Sequence, residues 1–308
     1  MGEAPHRRIV TALLARQNPG THGWSYADGQ DAIEPICLAL LATRRWCNVE
    51  SAVVLLERLQ RPDGGWGAFA GHDESACWTT ALAVITLLRA DGVRARVESA
   101  IQWLLNSRGQ ESHWLWRFKF QTLDTAVRFN PEKSGWGWIN GTVSWVIPTA
   151  LAMIALQQAQ SRGVGNSRRI EERIRLGAEM LLDRECPGGG WNAGNSVVYG
   201  VPLRPHVDAT AIALLALRRY HGEAVVHESM RLLQERVNRC PSRYSVAWAV
   251  LALAAYRQAW PELDCTVAVA AERLVELLSA KPLSTDNCVL ALSALALDAA
   301  NGETVMLV

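Results

Sequence analysis

Stretches of about 14 residues that are apolar nearly all round alternate along this chain with stretches whose apolar residues recur among charges at helical spacing. In the second kind, Val53, Leu56 and Leu59 stand against Glu57, Arg58 and Gln60. The spacing predicts six such amphipathic helices, at about 6–17, 48–61, 94–106, 168–184, 224–238 and 262–279. The apolar stretches share a phrase. Thr80-Ala81-Leu82-Ala83, Thr149-Ala150-Leu151-Ala152 and Thr210-Ala211-Ile212-Ala213 align without gaps, and Cys37-Leu38-Ala39-Leu40, Val246-Ala247-Trp248-Ala249 and Leu290-Ala291-Leu292-Ser293 are looser relatives. Six helices are predicted there, starting roughly at 31, 75, 143, 207, 242 and 285. A helix apolar on every side belongs inside and one with a charged face belongs outside. The expected fold is therefore all-α, an (α/α)6 toroid of six inner and six outer helices.

Punctuation between the layers repeats as well. Gln60-Arg61-Pro62-Asp63-Gly64-Gly65-Trp66 ends one predicted helix and precedes another, with weaker copies at Gln17–Trp24, Asn130–Trp136 and Arg184–Trp191. Pro and Gly stop a helix and supply the backbone angles of a turn. The Trp is expected to lay its ring over the end of the next helix with its N–H satisfied at the edge. These units resemble the Q-W motifs of the prenyltransferase and squalene-cyclase repeat family, in which such Trp residues brace turns and do no chemistry. The repeat runs almost end to end, so residues 1–308 are read as one toroid.

One stretch breaks the repeat. Between Asn106 and Gly141 stand Trp114, Trp116, Phe118, Phe120, Phe129, Trp136 and Trp138. A long irregular segment this rich in aromatics reads as a cap over one mouth of the ring, the insertion 106–141, with a short helix expected at about 116–128.

Composition narrows the function. With 31 Lys and Arg against 30 Asp and Glu, a net charge of +1 gives no electrostatic handle for nucleic acid. Seven cysteines spread singly read as reduced thiols, not a disulfide frame. The most apolar helices are shorter than the ~20 residues needed to cross a bilayer. The N-terminal MGEAPHRRIV has no long apolar run. A cytoplasmic protein is expected.

Candidate chemistry gathers where the inner helices begin. Alternating helices bring all six inner N-termini to one end, with Glu34, Asp73, Glu74, Ser144, His206, Asp208, Tyr244 and Asp286 among the polar residues there. Asp208 has the most informative surroundings, Pro205-His206-Val207-Asp208-Ala209-Thr210-Ala211. This block resembles the proton-donor motif of class II terpene cyclases. That motif reads D-x-D-D-T-A in squalene-hopene and diterpene cyclases and ends D-C-T-A in oxidosqualene cyclases. His206 and Ala209 replace the flanking acids, so only the middle one remains. The resemblance implies protonation of an isoprenoid double bond or epoxide by Asp208, with His206 as its partner, followed by cyclisation or isomerisation through carbocations. An alkene is a poor base, so such an acid must be dry, oriented and strong. Aromatic faces stabilise cations, and Trp78, Trp145, Trp248, Tyr244 and Trp138 are the candidate substrate-binding residues. Trp78 stands two residues before Thr80, as Asp208 stands two before Thr210.

The same resemblance implies no cofactor, with Mg2+ entering only if the substrate carries a diphosphate, and an isoprenoid as the small-molecule partner. It leaves open a peripheral membrane contact, and pairing with a second toroid or a homodimer, because squalene cyclases resemble two toroids facing each other. Protein prenyltransferase β subunits, which are similar single toroids, bind zinc through an Asp, a Cys two residues on and a distant His. Here Asp208 is followed by Thr210, and Asn287 or Asp286 stands in the His place. Thr and Asn are poor zinc ligands, so no metal is expected. Two readings remain, an acid-initiated cyclase and a non-catalytic toroid binding an isoprenoid or a protein. A zinc-free prenyltransferase-like protein is a more distant third.

Overall fold

The computed structural model describes residues 5–122, 126, 129–280 and 282–303. Its helices alternate between two kinds. The outer set is α1 (Pro5–Ala15), α3 (Glu50–Arg58), α5 (Arg94–Asn106), α8 (Ser167–Asp183), α10 (Ala224–Val237) and α12 (Leu263–Ser279). The inner set is α2 (Ile33–Thr43), α4 (Cys77–Leu87), α7 (Val146–Ser161), α9 (Val207–Ala216), α11 (Arg243–Tyr256) and α13 (Asn287–Ala300). Inner helices pack in the circuit α2–α4–α7–α9–α11–α13, and α13 closes it on α2. The amphipathic helices bury one stripe each, as α8 does with Ile170, Ile174, Ala178 and Leu181. The inner helices are buried on nearly every side, and α4 leaves only Trp78 of its eleven residues short of full burial.

The Gly-Trp turns show why the phrase Thr-Ala-x-Ala recurs. Trp24, Trp66, Trp136 and Trp191 are fully enclosed. Each indole N–H donates to a carbonyl near the end of the preceding outer helix: Leu13 (2.8 Å), Leu56 (2.7 Å), Leu104 (2.9 Å) and Leu181 (2.7 Å). Each indole N–H thus bonds a last-turn carbonyl of the helix behind it, and those of Leu13 and Leu181 also accept from the amides of Arg16 and Arg184. Meanwhile the amides of Trp66, Trp136 and Trp191 donate to the hydroxyls of Thr80, Thr149 and Thr210, at 2.9, 2.9 and 3.0 Å. Each Thr therefore clamps the turn in front of its own helix. Gly190 lets the chain pass this close, with φ of 78° and room for no Cβ, which would lie 2.8 Å from the Thr210 hydroxyl.

Residues between α5 and α7 form a 3-10 turn (Gln110–Ser112) and α6 (Trp114–Thr122). The expected helix at 116–128 thus begins two residues earlier, while residues 123–125, 127 and 128 lie outside the described residues. A wholly buried ion pair anchors this segment. The Glu111 carboxylate lies 3.9 Å from the Arg184 guanidinium and accepts from the Ser144 amide at 3.2 Å, while Arg184 stacks 4.0 Å from the Phe129 ring. By contrast α6 buries none of its residues, and Trp114, Leu115 and Phe118 are exposed. A hairpin of β1 (Val197–Val198) and β2 (Val201–Pro202) is the only sheet among the described residues. It exposes Tyr199 and Val201, and its Tyr199 amide donates to the carbonyl of Ala126 in the cap segment.

Candidate active site

Register among the inner helices is set by their first intrahelical hydrogen bonds. The amides of Ile36, Thr80, Thr149, Thr210, Val246 and Leu290 donate to the carbonyls of Ala32, Ala76, Trp145, His206, Ser242 and Asp286. Two residues into each helix from that carbonyl stand Glu34, Trp78, Ile147, Asp208, Tyr244 and Cys288. Glu34, Trp78 and Ile147 are half-buried although the residues on both sides of each are buried. A side chain accessible within an otherwise enclosed helix faces an opening. At Glu34, Trp78 and Ile147 the position therefore faces the mouth of the ring, whereas Cys288 at the same level is buried.

Asp208 and Tyr244 belong to the same lining. Asp208 is half-buried in the first turn of α9. Among the described residues its carboxylate makes no hydrogen bond or ion pair, and the helix-capping position falls to His206, whose side chain makes no cap bond. His206 is exposed and makes no hydrogen bond to Asp208. Burial raises the Tyr244 pKa, and the charges of Glu34 and then Asp208 raise it further, so this phenol lies within electrostatic reach of both acids. One turn deeper, Trp248 is almost wholly buried and meets the Tyr244 ring edge-on, with centroids 6.4 Å apart. Its buried indole N–H interacts with the Tyr244 phenol and partly offsets the rise of that group's pKa.

The remaining aromatic candidates sit on the cap side. Trp78 and Trp138 meet edge-on at 5.9 Å. The backbone carbonyl of Trp138 accepts from the first amide of α4, Cys77. Trp145 caps α7 without a side-chain bond and is half-buried, its ring filling the space where a Cβ on Gly194 would stand.

Glu34 carries the feature that the sequence did not single out. Its carboxyl is pushed up to about 7 by burial, partly offset by a hydrogen bond from the Tyr26 hydroxyl at 2.8 Å and reinforced by the charge of Asp286. The looser alignment of Cys37 with Thr80 would set Pro35 level with Asp208. The capping bonds shift this by one and bring Glu34 to that level. Glu185, outside the mouth in a cavity of about 500 Å3 with Phe129, Asp183 and Cys186, is also pushed up to about 7 by burial and by Glu228. No group of three potential metal ligands occurs among the described residues. At the positions where prenyltransferases hold zinc, Thr210 is committed to Trp191, and Asn287 donates to the Ser25 carbonyl at 2.9 Å. Those residues do not fit a zinc ion.

Comparison with known proteins agrees with the resemblance of the repeat. No protein-family model matches the chain. It is 23% identical over 254 residues to drimenyl diphosphate synthase from Streptomyces showdoensis, covering 70% of this chain and 46% of that protein. The chain thus spans about half the length of this curated relative. Its fold is similar to that of a variant of the type II terpene cyclase MstE from Scytonema in complex with its substrate geranylgeranyl dihydroxybenzoate. The TM-score is 0.53 at 17% identity, covering 90% of this chain and 79% of that one. It is also similar to the mannosylglycerate hydrolase from Thermus thermophilus, with a TM-score of 0.62 at 15% identity, over 94% of this chain and 99% of that one. The fold is therefore shared by a cyclase and a glycoside hydrolase, and by itself does not choose a chemistry. No helix among the described residues is long and apolar enough to cross a membrane.

Proposed function

We propose that this chain is a class II terpene cyclase-type protein that protonates an isoprenoid with Asp208 as general acid and guides its cyclisation or isomerisation. One observation carries the reading. The acid of the retained Pro-x-Val-Asp-x-Thr-Ala block stands in the ring of mouth-lining residues, beside Tyr244 and near Trp248, with no structural partner to hold. An acid with no capping or ion-pair duty is free to give its proton to a substrate. The aromatic walls suit the cations that follow. The name of the relative supports a polyprenyl diphosphate as substrate, in which case Mg2+ would serve only as a counter-ion for the diphosphate. Other residues of the proposed site bind and orient: Trp78, Trp138, Trp145, Tyr244 and Trp248 shape the apolar wall, and His206 stands at the entrance.

The exposed apolar residues of α6 and the hairpin favour a second reading, a non-catalytic toroid whose mouth docks a protein or lipid. They equally suit a cyclase whose mouth is closed by a second toroid or by a membrane surface. Incubation with farnesyl and geranylgeranyl diphosphate separates the two. Cyclic product from the wild type, lost by about 10²-fold or more in Asp208→Asn with an unchanged circular dichroism melt, is the expected result. Activity that survives Asp208→Asn would refute the assignment of the acid, and a chain that binds these compounds without turnover would be the non-catalytic toroid.

A further inference from the structure

A second carboxylate stands at the register position of Asp208 on another inner helix. In the circuit of inner helices α2 and α9 lie three places apart in either direction, so they form opposite walls. Glu34 and Asp208 occupy the same register position on those walls. Both bear on Tyr244, which stands on the neighbouring α11. Glu34 makes one side-chain hydrogen bond, accepted from Tyr26, whose O–H donation favours the ionised form. The groups that face it are Tyr26 in the loop before α2, Cys37 one turn along its own helix, Asp286 and Cys288 at the start of α13, and Tyr244. No cation neutralises it among the described residues. This leaves the Glu34 carboxylate with bonding capacity for a guest.

Resting on the cyclase reading above, we propose that Glu34 is the base that ends the reaction, taking from the cyclised cation the proton that balances the one Asp208 supplies. In the first step the Asp208 O–H breaks, its electron pair stays on the carboxylate, and the substrate π pair forms the new C–H bond. Ring closure turns further π pairs into C–C bonds. In the last step a C–H bond next to the cationic carbon breaks, its pair becomes the product double bond, and the proton goes to a Glu34 oxygen. Solvent then exchanges the proton from Glu34 and restores that of Asp208, so the net change is an isomerisation with no redox partner. A base must be ionised before each turnover, and a pKa near the working pH suits a group that gains and loses a proton in every cycle.

The test compares wild type, Asp208→Asn and Glu34→Gln with farnesyl diphosphate in D2O, reading products by mass spectrometry across pH 5–9. Glutamine keeps the size of the side chain and an acceptor for Tyr26. The expected wild-type product carries one solvent deuteron, and the pH profile of its rate carries an ionisation near 7 from Glu34. Glu34→Gln is expected to lose that ionisation from the profile, to slow by roughly 10²-fold, and to divert product toward double-bond isomers or a water-captured alcohol. Asp208→Asn is expected to form nothing. If Asp208→Asn is dead but Glu34→Gln keeps the wild-type rate, product ratio and pH profile, Glu34 is idle and only this proposal falls. If the wild type forms no cyclic product from any polyprenyl diphosphate supplied, the cyclase reading falls first and this one with it.

Discussion

The turns before α2, α4, α7 and α9 differ from those before α11 and α13 in how a starting helix finds its hydrogen bonds. In the first four, the capping residues Ala32, Ala76, Trp145 and His206 contribute no side-chain bond. Their own amides donate to the carbonyls of Trp24, Trp66, Trp136 and Trp191. The first helical amides of α2, α4 and α7 reach the carbonyls of Ala68, Trp138 and Ala193 in the following turns. Where the Gly-Trp turn is missing, the helix caps itself. Ser242 accepts from Ser245 at 3.2 Å, and Asp286 accepts from Cys288 and Val289. An orphan helix N-terminus is satisfied by either route. Neighbouring turns that do this work relieve the polar residues at the start of the helix, and Asp208 and Glu34 both belong to helices started that way.

Removing a clamp should have the largest effect. Trp136→Ala takes away a fully buried ring, the bond to Leu104 and the face on which Arg173 stacks at 3.9 Å. A loss of about 3–5 kcal/mol is expected from denaturant unfolding. Thr210→Val keeps shape but leaves the buried Trp191 amide without its acceptor, for a loss of about 1–3 kcal/mol. The finest discrimination lies between two acids at helix starts. Asp286→Ala removes a working cap and should cost about 0.5–2 kcal/mol, whereas Asp208→Ala removes none and should stay within about 0.5 kcal/mol. Equal losses at the two sites would mean that Asp208 supports its helix after all. Glu34 adds a pH signature of its own. Its folded-state pKa is raised, so the carboxylate opposes folding, with no penalty below the unfolded value of about 4.5 and a growing one as pH rises through about 7. Glu34→Gln should flatten the fall in thermal stability across that window.

Much of the architecture was legible because one signal repeats. The outer helices α5 and α12 begin within a residue of the positions that periodicity predicts, since a one-sided apolar stripe has few other ways to be buried. Asp208 was legible through its neighbours Pro205, Val207 and Thr210, which form a block. Glu34 was visible only as one of several polar residues at the mouth, because nothing around it repeats. Its helix carries Ile36 where α4, α7 and α9 carry Thr, so alignment by side chain slips by one residue. Only the backbone bonds restore the level. The direction in which each Trp points was also hidden, because both ends of a turn offer carbonyls and the sequence names neither.

Closure of the ring imposes an order on its own making. The Asn287 amide donates to the Tyr26 carbonyl, the Arg16 guanidinium reaches the Ser284 carbonyl at 2.7 Å, and α13 packs on α1, α2 and α11. During synthesis at about 5–20 residues per second, α2 therefore waits tens of seconds for the helix that will cover its open flank. An arc of inner helices without its keystone presents an apolar edge, and a nascent arc can meet another before it meets its own end. Such a ring is vulnerable to aggregation in the interval before its last helix arrives, and chaperone demand should fall mainly in that interval.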